Sequence, residues 1–159
     1  ELILRFLNQK IKGEVMKLVI SVLVLLSASV SFACPNIAGS FSCVDNEGQT
    51  NHNVVSQRVE NGATIYTFNG EDFIIADGQW RSNPQDNMPD YQDMSSCSGN
   101  TLNYQGKGSL EQNKQKIGTV SATGTINPSS NGFVMSMNAV AVIYGETHEN
   151  TSVNTCTRL

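Results

Sequence analysis

The chain has 159 residues, with 14 Asp and Glu against 10 Lys and Arg, a net charge of −4 and only 15% charged residues. That balance, without a basic stripe, argues against a nucleic-acid partner, which needs clustered Lys and Arg to neutralise phosphates. Thirteen glycines and a remainder rich in Ser, Thr, Asn and Gln suit extended structure with many turns, at a size for one domain.

The chain opens on Glu1, and Met16 offers a better start. Met16-Lys17 precedes an apolar run from Leu18 to Leu26 and a small-residue site ending in Ser31-Phe32-Ala33. A short basic region, an apolar region and a small-x-small site define an export signal over 16–33. The run is shorter than the roughly 20 residues a transmembrane helix needs. Lys12-Gly13-Glu14 can be encoded as AAA-GGA-GAA, a purine-rich ribosome-binding sequence, so residues 1–15 read as translated upstream DNA in a bacterial gene. The mature domain is then 34–159, with six Lys and Arg, twelve Asp and Glu, and a charge of −6.

All four cysteines, Cys34, Cys43, Cys97 and Cys156, follow the expected cleavage point. An even set in an oxidising compartment reads as two disulfides, in a periplasmic or secreted protein. A competing reading makes Cys34 a lipoprotein anchor, but Ser31 and Phe32 do not fit the preceding lipobox positions. Of the three possible pairings, Cys43–Cys97 with Cys34–Cys156 is favoured, tying the exit of a long loop to the first strand. No Cys-x-x-Cys occurs and neither histidine lies near a cysteine in sequence, so no zinc site is indicated.

The first strand falls in Ile37 to Val44, followed by a turn at Asp45-Asn46-Glu47-Gly48 and a strand in Asn53 to Glu60. Asn61-Gly62, Asn69-Gly70 and Asp77-Gly78 then recur eight residues apart. Each is a preferred two-residue hairpin sequence, because both central residues of a type I′ turn need positive φ. They bound strands at Ala63 to Phe68, with Thr64, Tyr66 and Phe68 on one face, and Glu71 to Ala76, with Phe73 and Ile75 opposite Ile74 and Ala76. Trp80, the only tryptophan, follows the third turn. Asn83 to Ser96 has two prolines and no apolar periodicity, and reads as one long connection.

Strands resume at Thr101 to Lys107, with a hairpin around Asn113. Ile117 to Ile126 alternates clearly, with Val120, Ala122, Gly124 and Ile126 on one face. After the turn at Asn127 to Gly132, Phe133, Met135, Met137, Ala139, Ala141 and Ile143 form one stripe. Thr147 to Thr157 is a polar last strand. The fold class is all-β, an antiparallel up-and-down meander of about 8–10 strands closed as a small barrel, since closure removes exposed edges. Strands of about six residues between the glycine turns are too short for an outer-membrane barrel, which needs about 9–11.

Asp86, Asp90 and Asp93 offer hard oxygen donors but match no EF-hand spacing, and read as solvated loop acids. His52 and His148 stand near no nucleophile elbow, so no enzyme activity, cofactor or metal is expected. A barrel of about eight strands is either filled or holds one small ligand. If it holds one, the cavity wall draws on Tyr66, Phe68, Phe73 and Tyr104. Met135 and Met137 add adaptable apolar surface, and Trp80 belongs to the same candidate wall.

Gly39-Ser40-Phe41 resembles the Gly-x-Trp opening of lipocalins and related calycins, with Phe41 in place of the tryptophan. Arg158 is similar to the arginine that packs over that ring in the family. The resemblance implies a monomeric, exported lipocalin-like domain that binds a small apolar or amphipathic ligand. The alternative is a filled barrel acting by protein contact, as an envelope accessory protein or an inhibitor of a secreted enzyme, through the loop Asn83 to Ser96. Two tests belong to these expectations. Val at Gly62, Gly70 or Gly78 should destabilise, with a milder effect at Gly132. Met137→Trp should fill the cavity and a ligand should quench Trp80.

Overall fold

A computed structural model describes residues 34–70 and 72–159, apart from the side chains of Asp72 and Phe73. The expected signal at 16–33 and extension at 1–15 lie outside the described residues. Ten strands follow in order: β1 (Gly39–Val44), β2 (Thr50–Glu60), β3 (Ala63–Phe68), β4 (Asp72–Ala76), β5 (Arg81–Ser82), β6 (Gln92–Ser98), β7 (Thr101–Gln112), β8 (Gln115–Ser129), β9 (Gly132–Ile143) and β10 (Glu146–Arg158). The protein is all-β, and nine of these strands close a barrel in the order β4-β3-β2-β1-β10-β9-β8-β7-β6. Every wall contact is antiparallel except the seam, where β4 and β6 run parallel through Ala76 and Ser95. Among the described residues no helix is long and apolar enough to cross a membrane.

The hairpins follow from their turn residues. Asn61-Gly62 (φ 51° and 80°), Asn113-Lys114 (52° and 64°) and Tyr144-Gly145 (50° and 86°) each hold two successive positive φ values, the condition for a turn whose twist matches its strands. Asn69-Gly70 is also positive at both positions. Asp77-Gly78 departs from the expected pattern. The chain leaves the wall there, the Asp77 carboxylate takes the Arg81 guanidinium at 2.6 and 2.9 Å, and Gly78 N–H donates to Ser95 O at 2.8 Å across the seam. The third dipeptide therefore closes the barrel rather than turning a hairpin.

The long connection is shorter than the sequence indicates. Gln92–Ser98 is a wall strand, paired with β7 from Gln92↔Lys107 to Ser98↔Thr101, and the loop is confined to 83–91. Its inner positions Asp93, Ser95 and Cys97 carry no large apolar group, so pairing with a neighbour, and not its own hydrophobicity, makes it a strand. The loop folds onto the edge of β7. Ser109 N–H donates to Asp90 Oδ1 at 2.6 Å, Glu111 N–H donates to Asn87 O at 2.8 Å, and Tyr91 is buried.

Register places Phe41 and Cys43, Val55, Tyr66, Ala76, Leu102, Ile126, Phe133 and Cys156 on the inner face, where they form one packed cluster with Ile37. Phe133 meets Phe41 edge-on, with ring centroids 4.9 Å apart. Tyr66 O–H donates to Pro35 O at 2.7 Å inside this cluster, so the segment before β1 plugs this end of the barrel.

The disulfides are Cys43–Cys156 and Cys34–Cys97, which corrects the favoured pairing. Cys43 stands directly opposite Cys156 in the β1–β10 register, with Cα atoms 3.9 Å apart. β6, which carries Cys97, lies across the barrel from β1, whose wall neighbours are β2 and β10. Cys34 precedes β1 and is free to cross the plugged end to Cys97.

Strand lengths are uneven. β1, β3 and β4 have 6, 6 and 5 residues, whereas β7 to β10 have 12, 15, 12 and 13. β1 covers β10 only from Thr155 to Arg158, so the four long strands rise beyond the barrel as a wall on one side. Length therefore does not argue against an outer-membrane barrel as the sequence reading held. The outward positions of β8 do: Thr119, Ser121, Thr123 and Thr125 alternate with the inner face, and a lipid-facing strand would be apolar there.

Candidate functional site

At the end opposite the plug, the inner face opens into a cavity of about 500 Å³, within the usual range for small-ligand sites. Phe133 and the Cys43–Cys156 bridge form its floor, and Phe68, Ile74 and Met135 its apolar sides. Asn51, Asn53, Asn69 and Asn154 stand around it with His52. The strands explain the division. Inward positions of β2 change from Val55 to Asn53 and Asn51 as the strand nears the mouth, and those of β10 from Cys156 to Asn154.

One edge of this rim is fixed by hydrogen bonds. Val54 N–H donates to Asn69 Oδ1 at 2.8 Å and Asn69 N–H donates to Val54 O at 2.8 Å. Asn69 Nδ2 donates to Asn53 Oδ1 at 2.9 Å. Among the described residues, no Lys, Arg, Asp or Glu lines the cavity.

The expected wall residues divide. Phe68 and Met135 line the cavity. Tyr66 is fully buried in the plug, and burial pushes its phenol up to about 12. Tyr104 and Met137 do not line the cavity: they share the inward row with Gly124, whose Cβ position the Met137 sulfur fills, and a hollow of about 310 Å³ over that row lies among the outward residues Asn103, Gln105, Thr123, Thr125, Ser136 and Asn138. Tyr104 shares a 2.8 Å hydrogen bond with Tyr91, and burial, reinforced by that bond, raises its phenol pKa above the ordinary range. Trp80 is 41% exposed, under the ammonium of Lys107 at 4.3 Å from the ring centroid, and lines neither space. The side chain of Phe73 lies outside the described residues, and Ile74, its neighbour in the strand, supplies that side of the cavity.

The loop acids take separate partners. Hydrogen bonds from Ser109 hold the Asp90 carboxyl below the usual range, and Asp93 accepts from Asn83 Nδ2 at 3.0 Å. The side-chain hydrogen bond from Arg81 likewise lowers the pKa of Asp77. His52 stands at the cavity rim, and His148 lies on β10 opposite Ala141.

The amide rim is what sequence reasoning missed. Asn51 and Asn53 alternate in phase with Val55, an inward polar pair visible in the sequence, yet polar strand residues read as outward by default. Asn69 was legible only as a turn residue, and nothing local marks Asn154. Comparison with known proteins finds no matching family, no matching curated protein and no matching solved structure.

Proposed function

We propose that this protein is an exported lipocalin-like domain that binds one small amphipathic ligand at the open end of its barrel. The observation that carries the reading is the cavity itself: about 500 Å³, apolar at its floor and sides and rimmed by amides. Such a site retains a ligand mainly by burying apolar surface, at roughly 25 cal/mol per Å² before ordering costs. Two disulfides suit an oxidising periplasmic or extracellular setting.

N-phenyl-1-naphthylamine, an uncharged dye that brightens in apolar surroundings, tests the reading. It is expected to bind with micromolar affinity and to raise the melting temperature by mass action. Met135→Trp should fill the cavity and abolish binding in a folded protein. Trp80 fluorescence should stay unchanged, since that ring lies outside the cavity. No dye binding by the folded protein would defeat the reading.

A further inference from the structure

We propose that the ligand is an amphiphile whose head carries uncharged hydrogen-bond acceptors, of the glyceride or amide kind, and not a carboxylate; this rests on the cavity reading above. A backbone N–H only donates, so the atom of Asn69 that Val54 N–H meets at 2.8 Å is its carbonyl oxygen. That choice fixes the Asn69 amide, which turns its NH₂ toward Asn53 at 2.9 Å. Asn53 must then answer with its own oxygen. Its Nδ2 is left with two N–H groups that have no partner among the described residues, at the rim of an apolar cavity. A donor oriented through two successive hydrogen bonds to the backbone is held ready for an acceptor on a ligand.

The charge around the cavity selects the kind of acceptor. A carboxylate drawn to the rim would lose water without meeting a Lys or Arg among the described lining. The charge of −6 on residues 34–159 further opposes an anion at long range. Asn51 and Asn154, on β2 and β10, each offer both a donor and an acceptor. Hydroxyl and carbonyl groups can use such a set fully, whereas a carboxylate uses only its donors.

Displacement of bound N-phenyl-1-naphthylamine from the intact, disulfide-bonded protein at pH 8 tests this, using two heads on one chain length. The competitors are monolauroylglycerol and dodecanoate, each below its micelle concentration. The glyceride is expected to displace the dye at least about tenfold more effectively than dodecanoate, because only the carboxylate is desolvated unpaired. Asn53→Leu should weaken the glyceride about fivefold, the scale of a lost hydrogen bond. If the dye binds but dodecanoate displaces it as well as the glyceride does, this proposal is overturned while the cavity reading stands. If the dye does not bind and neither competitor moves the melting temperature, both fail. Should the Asn53 variant not fold, the order of the two competitors on the unaltered protein decides.

Discussion

The guanidinium of Arg158 lies over the ring of Phe41, 5.1 Å from its centroid, and joins the end of the last strand to the opening of the first. The backbone holds it there: Arg158 N–H donates to Asn131 O at 2.8 Å and Leu159 N–H to Ser40 O at 3.0 Å. Gly39, at φ 145°, completes the arrangement, since a Cβ there would stand 2.6 Å from Arg158 Nη1. Glycine, aromatic ring and arginine thus form one contact over the plugged end.

Arg158→Ala is expected to cost about 0.5–1 kcal/mol from the lost cation–π contact, with some further loss of packing by its stem. Gly39→Ala should cost more, because it combines an unfavourable φ with displacement of the guanidinium. The two changes should be non-additive: with Arg158 removed, Gly39→Ala retains only its backbone strain of about 1–2 kcal/mol. Chemical denaturation of the four proteins of the cycle measures this, and additive losses would show that the two positions do not interact.

Gly132→Val should be more damaging than Gly62→Val, the reverse of the sequence expectation. Both positions have positive φ, 154° and 80°. A Cβ at Gly62 meets open space, whereas one at Gly132 strikes the carbonyl oxygen of Cys156 in the neighbouring strand. A backbone oxygen cannot move aside without breaking the β9–β10 ladder. Melting temperatures of the two variants give the order directly.

The disulfides should differ modestly in worth. Each is expected to contribute about 2–5 kcal/mol, as in other small secreted domains. Cys43–Cys156 spans 113 residues and Cys34–Cys97 spans 63. Loop-closure entropy grows as the logarithm of that separation, which favours the longer link by about 0.5 kcal/mol. Paired Cys→Ala variants, compared by denaturation, measure the difference. Peptide mapping without reduction should recover only these two links.

Stability should fall on the alkaline side. The Tyr66 phenol titrates at about 12 in the folded protein against 10 ordinarily, so between those values the folded state holds a proton that the unfolded chain has lost. The contribution is complete below pH 10 and disappears as pH rises toward 12, on the order of 3 kcal/mol for this group. Tyr104 is shifted in the same direction and adds to the fall. Tyr66→Phe should cost about 1–3 kcal/mol at neutral pH, because Pro35 O loses its buried donor. It should also flatten the decline between pH 10 and 12. An unfolding free energy as steep with pH in the variant as in the parent would contradict this.

By itself the sequence determined the class of fold and much of the inner face. Period-2 alternation assigns Phe133, Met135 and Met137 to one face, and Asn-Gly pairs fix two hairpins, because both signals act over a few residues. Tertiary structure decided which inward residues share a space. Met135 and Met137 are equivalent in pattern and both face inward, yet of the two only Met135 lines the cavity while Met137 packs over Gly124, because depth along the barrel depends on where every other strand ends. Cys43 has two other cysteines after the first hairpins to choose from, and only the β1–β10 register selects Cys156. Gln92–Ser98 has almost no strand pattern and becomes wall because β7 offers it an edge. Asp77-Gly78 carries a hairpin signal and makes a seam, since the partner of its N–H, Ser95, lies beyond the reach of any local rule. Alternation tells a residue's side. Only closure of the ring, a long-range event, supplies its neighbours.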